Sequence, residues 1–358
     1  MPKHVVVIPA DHGGCGQYRL VWPAQAVAHA RPDWHVTVLE PDGIQAGFRD
    51  GMFTGVRGFP NPQPDLLVMQ RVGTPAQFHI FKWASEQGIA TVVDFDDAMW
   101  CIDKDNLAWR AWNVRNPYNQ HWRTCEDAAR IADLVTVTTV ALAQRYGKNH
   151  HRTEVIPNRV PIAATGLPRH EDNEVFTAGW CGYTKTHPGD CTVSAPAAHA
   201  VLDDGGALRV VADPLGAATE WGIDPARVDP IGPQKFGPEY YRSISRLDLM
   251  LVGLKDTPFN RAKSFLKVLE AGAVGTPSIA PDNHPHRALA ATGYPVILAS
   301  SPSEWADAAK QIKGIWEADG PEYMRELVSD ATAANWTIEG NAEHWAQAWE
   351  RAMQRKHG

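Results

Sequence analysis

The chain has 358 residues, 44% apolar and 21% charged, with 34 Lys and Arg against 41 Asp and Glu. That length predicts two domains rather than one core, and a net charge of −7 argues against a broad basic surface that grips nucleic acid. Five scattered cysteines without Cys-x-x-Cys spacing suit a reducing compartment better than a disulfide framework or a zinc site.

From the start of the chain, the apolar run Val5-Val6-Val7-Ile8 is too short for a signal peptide and reads as a first buried strand. No later window approaches the ~18 apolar residues of a membrane span, so the expected location is the cytoplasm. Short β-branched runs then alternate with helical stretches, as in parallel sheets built from βαβ units. Strands are expected over 5–9, 35–39, 66–70, 90–94, 134–138 and 154–156, and helices over 21–30, 76–87, 118–131 and 140–146. After Pro157-Asn158-Arg159-Val160-Pro161, the polar stretch through Asn173 suits a linker. A second set follows, with strands over 176–181, 208–212, 228–231, 249–253, 278–280 and 296–298 and helices over 239–244, 264–274 and 303–318. Near the end, Ala342, Trp345, Trp349 and Met353 fall on one face at helical spacing over 338–354. The fold class is therefore α/β, with two doubly wound Rossmann-like halves, 1–165 and 166–335, and a final helix within 336–358.

Four constellations carry candidate chemistry. Directly after the first strand, Gly13, Gly14 and Gly16 would let backbone amides approach a phosphate or sugar; a plain flexible turn would look the same. At the end of the 90–94 strand, Asp94, Asp96 and Asp97 could bind a hydroxyl or act as a base, although an Asx turn and helix cap would claim at least one of them. After the first strand of the second half comes Gly182-Tyr183-Thr184-Lys185-Thr186-His187, a glycine loop with cations and donors for a diphosphate. The most specific block runs from Asp256 to Pro277. A helix beginning near Lys263 and Ser264 would point free amides at an anion, reinforced by Asn260, Arg261 and Lys263, with Glu270 two turns in.

At that block the chain resembles the retaining GT-B glycosyltransferases, the large family that includes sucrose synthases, mannosyltransferases and many polysaccharide and phage-encoded enzymes. Phe259 to Pro277 is similar to the family's donor-site helix and following loop, and Pro157-Asn158-Arg159-Val160 to its Pro-Asn-Gly-Val junction, with Arg159 in place of glycine. The resemblance implies a GT-B fold with two halves facing across a cleft and the last helix crossing back to the first. It implies donor contacts by Gly13, Gly14, Gly182, His187, Asn260, Arg261, Ser264 and Glu270, the glutamate on ribose. The family has two glutamates separated by seven residues, and Ala262 stands at the first.

The implied activity is transfer of a hexose-like sugar from a UDP- or GDP-linked donor, with retention and with neither metal nor other cofactor. Lys185 and Lys263 would neutralise the leaving diphosphate while Asp97 contacts the sugar or acceptor. Asp96, Trp109 and Arg110 lie on the acceptor side, in or near the loops 45–63 and 101–118. The acceptor stays open among a glycan, a protein and a modified DNA base. A donor-binding relative without transferase activity and a GT-B epimerase are the alternatives.

Overall fold

A computed structural model describes residues 3–113, 115, 120–148, 152–168 and 172–357. Two parallel sheets of six strands dominate it. The first contains β1 (His4–Ile8), β2 (His35–Val38), β5 (Leu66–Gln70), β6 (Ala90–Phe95), β7 (Leu134–Val137) and β8 (Thr153–Val155), in the order β2-β1-β5-β6-β7-β8. The second contains β9 (Thr177–Gly182), β10 (Ala207–Ala212), β11 (Val228–Ile231), β12 (Leu249–Leu251), β13 (Ser278–Pro281) and β14 (Ile297–Ala299), ordered β11-β10-β9-β12-β13-β14. Runs such as Leu66–Gln70 and Ala90–Phe95 are buried throughout and mostly apolar, because helices cover both faces of a parallel sheet.

All twelve expected sheet strands are present, most within one or two residues of the expected bounds. Between β2 and β5 the structure departs from the expected loop. Gln45–Arg49 (β3) and Met52–Arg57 (β4) form an antiparallel hairpin closed by Asp50 and Gly51, both at positive φ. The expected helix over 118–131 is seen as His121–Ile131, with Tyr118 outside the described residues. Residues 169–171 of the expected linker also lie outside them. No helix among the described residues is long and apolar enough to cross a membrane.

One apolar cluster runs from the first sheet (Val5, Val7, Val68) through Tyr18 and Tyr241 into the second half (Val268, Leu269). The last helix, Ala342–His357, closes it with Trp345 and Trp349 and packs on the helix Trp22–Ala30 and on the first sheet. Paired Arg31 and Glu343 (2.6 and 2.9 Å) and Arg351 and Glu154 (2.6 and 2.7 Å) fasten its flanks. The chain thus crosses between the halves twice, and the crossings are hydrogen-bonded to each other: Val160 N donates to Trp336 O, and Ile338 N donates to Val160 O. Arg159, beside this bridge, lies between the rings of Trp336 and Trp345.

Candidate active site

In each sheet the strand order reverses at the first strand, between β1 and β5 and between β9 and β12. Crevices beyond the carboxyl ends of strands at such switch points are where open α/β sheets bind ligands. The two crevices face one another, and a cavity of about 410 Å³ lies between them, lined by Gly14 and Asp97 from one side and by Gly182, Lys263 and Glu270 from the other.

After β1, Asp11 Oδ1 accepts from the amides of Gly13 (2.8 Å) and Gly16 (3.2 Å). A Cβ on Gly16 would stand 2.0 Å from the Asp11 carbonyl oxygen, so this turn requires glycine. The chain continues as a π turn, Gln17–Val21, which buries both Tyr18 and Arg19; such turns are rare and frequent at functional sites. Arg19 is fully buried and doubly bonded to Asp94 (3.0 and 2.7 Å), and its Nη1 donates to Ile156 O (2.7 Å) and to Asn158 Oδ1 (3.0 Å).

The acidic cluster is divided among different cations. Asp94 belongs to Arg19. Asp96 belongs to Arg71, at 2.5 and 2.6 Å. Burial opposes its charge, but Arg71 overcomes that and holds the carboxyl below its ordinary value. Asp97 is shared, 3.3 Å from Arg71 and 3.4 Å across the cleft from Lys263. Asp96 and Asp97 line the cavity, whereas Trp109 and Arg110, in the short helix Trp109–Trp112, do not.

On the opposite wall, Gly182 has φ +150°, and a Cβ there would meet the Trp180 ring at 2.9 Å. Lys185 is not among the lining residues. Its carbonyl accepts from Leu107 N at 2.8 Å, and Thr186 O accepts from Asn106 Nδ2 at 2.8 Å, so this loop docks on the other half through its backbone. His187 does line the cavity but supplies no positive charge. Burial pushes its pKa down to about 4 against the pull of Asp190, 3.1 Å away. The amides of Gly189 and Cys191, at the start of the helix Asp190–Asp203, already donate to Glu220 (2.8 and 3.0 Å). That helix terminus therefore has its own carboxylate, and a diphosphate is better received elsewhere.

The site block from Asp256 onward folds differently from expectation. The helix starts at Leu266, so Lys263 sits in extended backbone ahead of it (φ −67°, ψ 159°). The amides of its first turn still face the N-terminal side, where an anion is favoured. Arg261 is exposed and doubly bonded to Asp256 (2.6 and 2.8 Å), away from the cavity. Asn260 braces Asp190 (3.0 Å) and Lys255 O (2.9 Å) and is not a lining residue. Ser264 lines the cavity and accepts from Asn158 Nδ2 at 2.9 Å. Lys267, missed in the sequence reading, lines it too, with Nζ donating to Cys181 O at 2.6 Å. It lies three residues before Glu270, the spacing that puts two side chains on one helix face. Lys263 keeps its proton firmly: burial works against the charge, but Asp97, Asp190 and Cys15 outweigh it and raise the pKa. Glu270 is buried, which raises its pKa, and accepts from Tyr18 (2.6 Å) and Tyr240 (2.8 Å). Among the described residues no three His, Cys, Asp or Glu side chains are grouped to hold a metal ion.

His286, another lining residue, is likewise pushed by burial to about 4. Between that value and the ordinary 6.5 the unfolded chain binds more protons at His187 and His286 than the folded one, so both contribute stability that grows with pH. The melting temperature is expected to climb from pH 4.5 to 6.5, and the climb should flatten in His187→Asn. An equal slope in that variant would show that His187 is protonated in the folded chain.

The architecture is GT-B: two Rossmann-like halves facing across a cleft. Solved structures share it over almost the whole chain. Sucrose-phosphate synthase from Thermosynechococcus elongatus matches at 17% identity with a TM-score of 0.62, covering 98% of each chain. A glycosyltransferase from Rickettsia africae matches at 10% identity, TM-score 0.64, again over 98% of both. Anabaena HepE in complex with UDP-glucose matches at 13% identity, TM-score 0.60, over 96% of this chain and 98% of that one. No protein-family model and no curated protein matches the sequence.

Proposed function

We propose that the protein is a glycosyltransferase that takes a hexose-like sugar from a UDP-linked donor. The observation that carries this reading is the run Lys263, Lys267 and Glu270 at and within the start of the helix Leu266–Ala273, set in the cavity between two switch points. Two ammonium groups at the N-terminal end of a helix are what a departing diphosphate needs. A carboxylate accepts about four hydrogen bonds, and the two tyrosines give one to each oxygen of Glu270. One site per oxygen is left for the vicinal hydroxyls of a ribose. The structural likeness to HepE, solved with UDP-glucose, supports the same donor class.

In this reading the bond from the anomeric carbon to the β-phosphate oxygen breaks as the acceptor oxygen bonds that carbon from the same face, so configuration is retained. The acceptor proton passes to the released phosphate. Lys263 and Lys267 stabilise charge that grows only as the bond breaks, and they require neither a metal nor another cofactor for it. Asp97, beside Lys263, orients the acceptor hydroxyl, whether of a glycan, a protein or a modified base.

A thermal-shift screen with nucleotide-diphosphate sugars tests the donor. A donor at 100 times its Kd adds about 2.7 kcal/mol to stability. Glu270→Gln should lose most of that shift; a full shift in the variant would remove Glu270 from the donor site. Release of UDP and transfer to an added acceptor then separate a transferase from a relative that only binds.

A further inference from the structure

The cavity holds a relay of hydroxyls that joins the two halves. Tyr18 belongs to the first half and donates to Glu270 Oε1 at 2.6 Å, whereas Tyr240, from the second, donates to Oε2 at 2.8 Å. Tyr18 Oη also lies 2.6 Å from Tyr241 Oη. A phenol has one proton, and that of Tyr18 is committed to the carboxylate, so Tyr241 is the donor in the second contact. The relay thus runs one way, from Tyr241 to Tyr18 to Glu270.

Tyr18 is fixed at its other atoms as well. Its ring packs edge-on against Trp22 (5.0 Å) and against Phe236 of the second half (5.3 Å). The next residue, Arg19, is tied to the first sheet by Asp94. The Tyr18 hydroxyl is therefore referenced to the first half while the carboxylate it holds is on the second.

We infer that Tyr18 is a positioning residue that aims Glu270 at the donor ribose from the opposite half, so that ribose recognition is complete only when the halves are docked. The inference rests on the reading of Glu270 as the ribose ligand. A glutamate's terminal torsion is broad and roughly two-fold. With Oε1 and Oε2 each held by a tyrosine, the remaining acceptor directions are set for two neighbouring hydroxyls. With Oε1 released, they are not.

The test is calorimetric binding of UDP and of 2′-deoxy-UDP to the full chain as wild type, Tyr18→Phe, Tyr241→Phe and Glu270→Gln. Hydrogen bonds to a charged group predict that the wild type prefers UDP by about 10- to 100-fold. Tyr18→Phe removes one oxygen and no carbon, so the packing against Trp22 and Phe236 is retained and the chain folds. Its preference is expected to shrink at least about fivefold, toward that of Glu270→Gln. Tyr241→Phe, which leaves the Tyr18 to Glu270 bond in place, should keep the wild-type preference to within about twofold. Wild-type preference in Tyr18→Phe alongside its loss in Glu270→Gln would overturn the inference and leave the ribose reading standing. Equal loss in Tyr241→Phe would overturn it as well, assigning the effect to the packing of the cluster. Wild-type preference in Glu270→Gln would overturn the ribose reading itself.

Discussion

Lys263→Ala is expected to lower kcat by about 10²- to 10³-fold, the usual cost of deleting one preorganised group that faces developing charge. KM for the donor should change much less, because the ammonium is asked to act on the negative charge of the departing diphosphate. Two features single out Lys263 from the other candidate cations. Lys185 and Arg261 do not line the cavity, and Arg261 is committed to Asp256. Lys267 already donates to Cys181 O. Lys263 has Asp97 at 3.4 Å and the Phe259 ring at 4.8 Å from Nζ, so it is anchored loosely enough to meet a second anion. Single-turnover rates with saturating UDP-sugar are the measurement. A variant within threefold of wild type would assign the charge-neutralising role to Lys267 instead. Asp97→Asn gives the companion result: if Asp97 only held Lys263 in place, its removal would mimic Lys263→Ala in donor hydrolysis, whereas an acceptor-side role predicts loss of transfer alone.

Asp94→Ala is expected to destabilise the fold by about 3–5 kcal/mol, the range for breaking a buried ion pair from one side. Arg19 is fully buried and Asp94 almost so, and the pair is satisfied on all sides: Thr136 Oγ1 donates to Asp94 at 2.7 Å, and Arg19 has Ile156 O and Asn158 besides. Removing the carboxylate leaves a guanidinium with only neutral partners. Denaturant unfolding of wild type and variant measures the loss; a difference below about 1 kcal/mol would mean that solvent reaches Arg19 in the variant. The double replacement Arg19→Met, Asp94→Leu should recover only part of the stability: it removes the uncompensated charge but leaves Thr136 Oγ1, Ile156 O and Asn158 Oδ1 without these partners.

The strands were legible because their residues face apolar layers on both sides, which leaves short, largely apolar runs. The hairpin of β3 and β4 was not read, even though Asp50-Gly51 is a strong turn signal. Its strands contain Gly47 and Gly55 and are half exposed, so the run lacks the apolar density of the buried strands. The helix Asp190–Asp203 was hidden by Pro196 and by small residues on most of its faces. At the site, sequence order pointed to the glycine loops, the acidic cluster and Lys263 to Glu270. It could not assign partners. Arg19 meets a carboxylate 75 positions away, and Tyr18 one 252 positions away, and nothing local in composition marks either as buried. Lys185 and Arg261 show the converse: a basic side chain in the right loop reaches the cavity only if the backbone turns it there.

The two hydrogen-bonded crossings at Val160 and at Trp336 to Ile338 set the mechanics of the cleft. A single tether would let the halves twist and slide freely, but two straps stitched side by side resist torsion and shear while still bending across their width. A swing about an axis along the straps would strain these bonds least, and Arg159, held between Trp336 and Trp345, lies beside that axis. Such a swing would part Tyr18 from Glu270 and Asp97 from Lys263 together, since both contacts span the cleft.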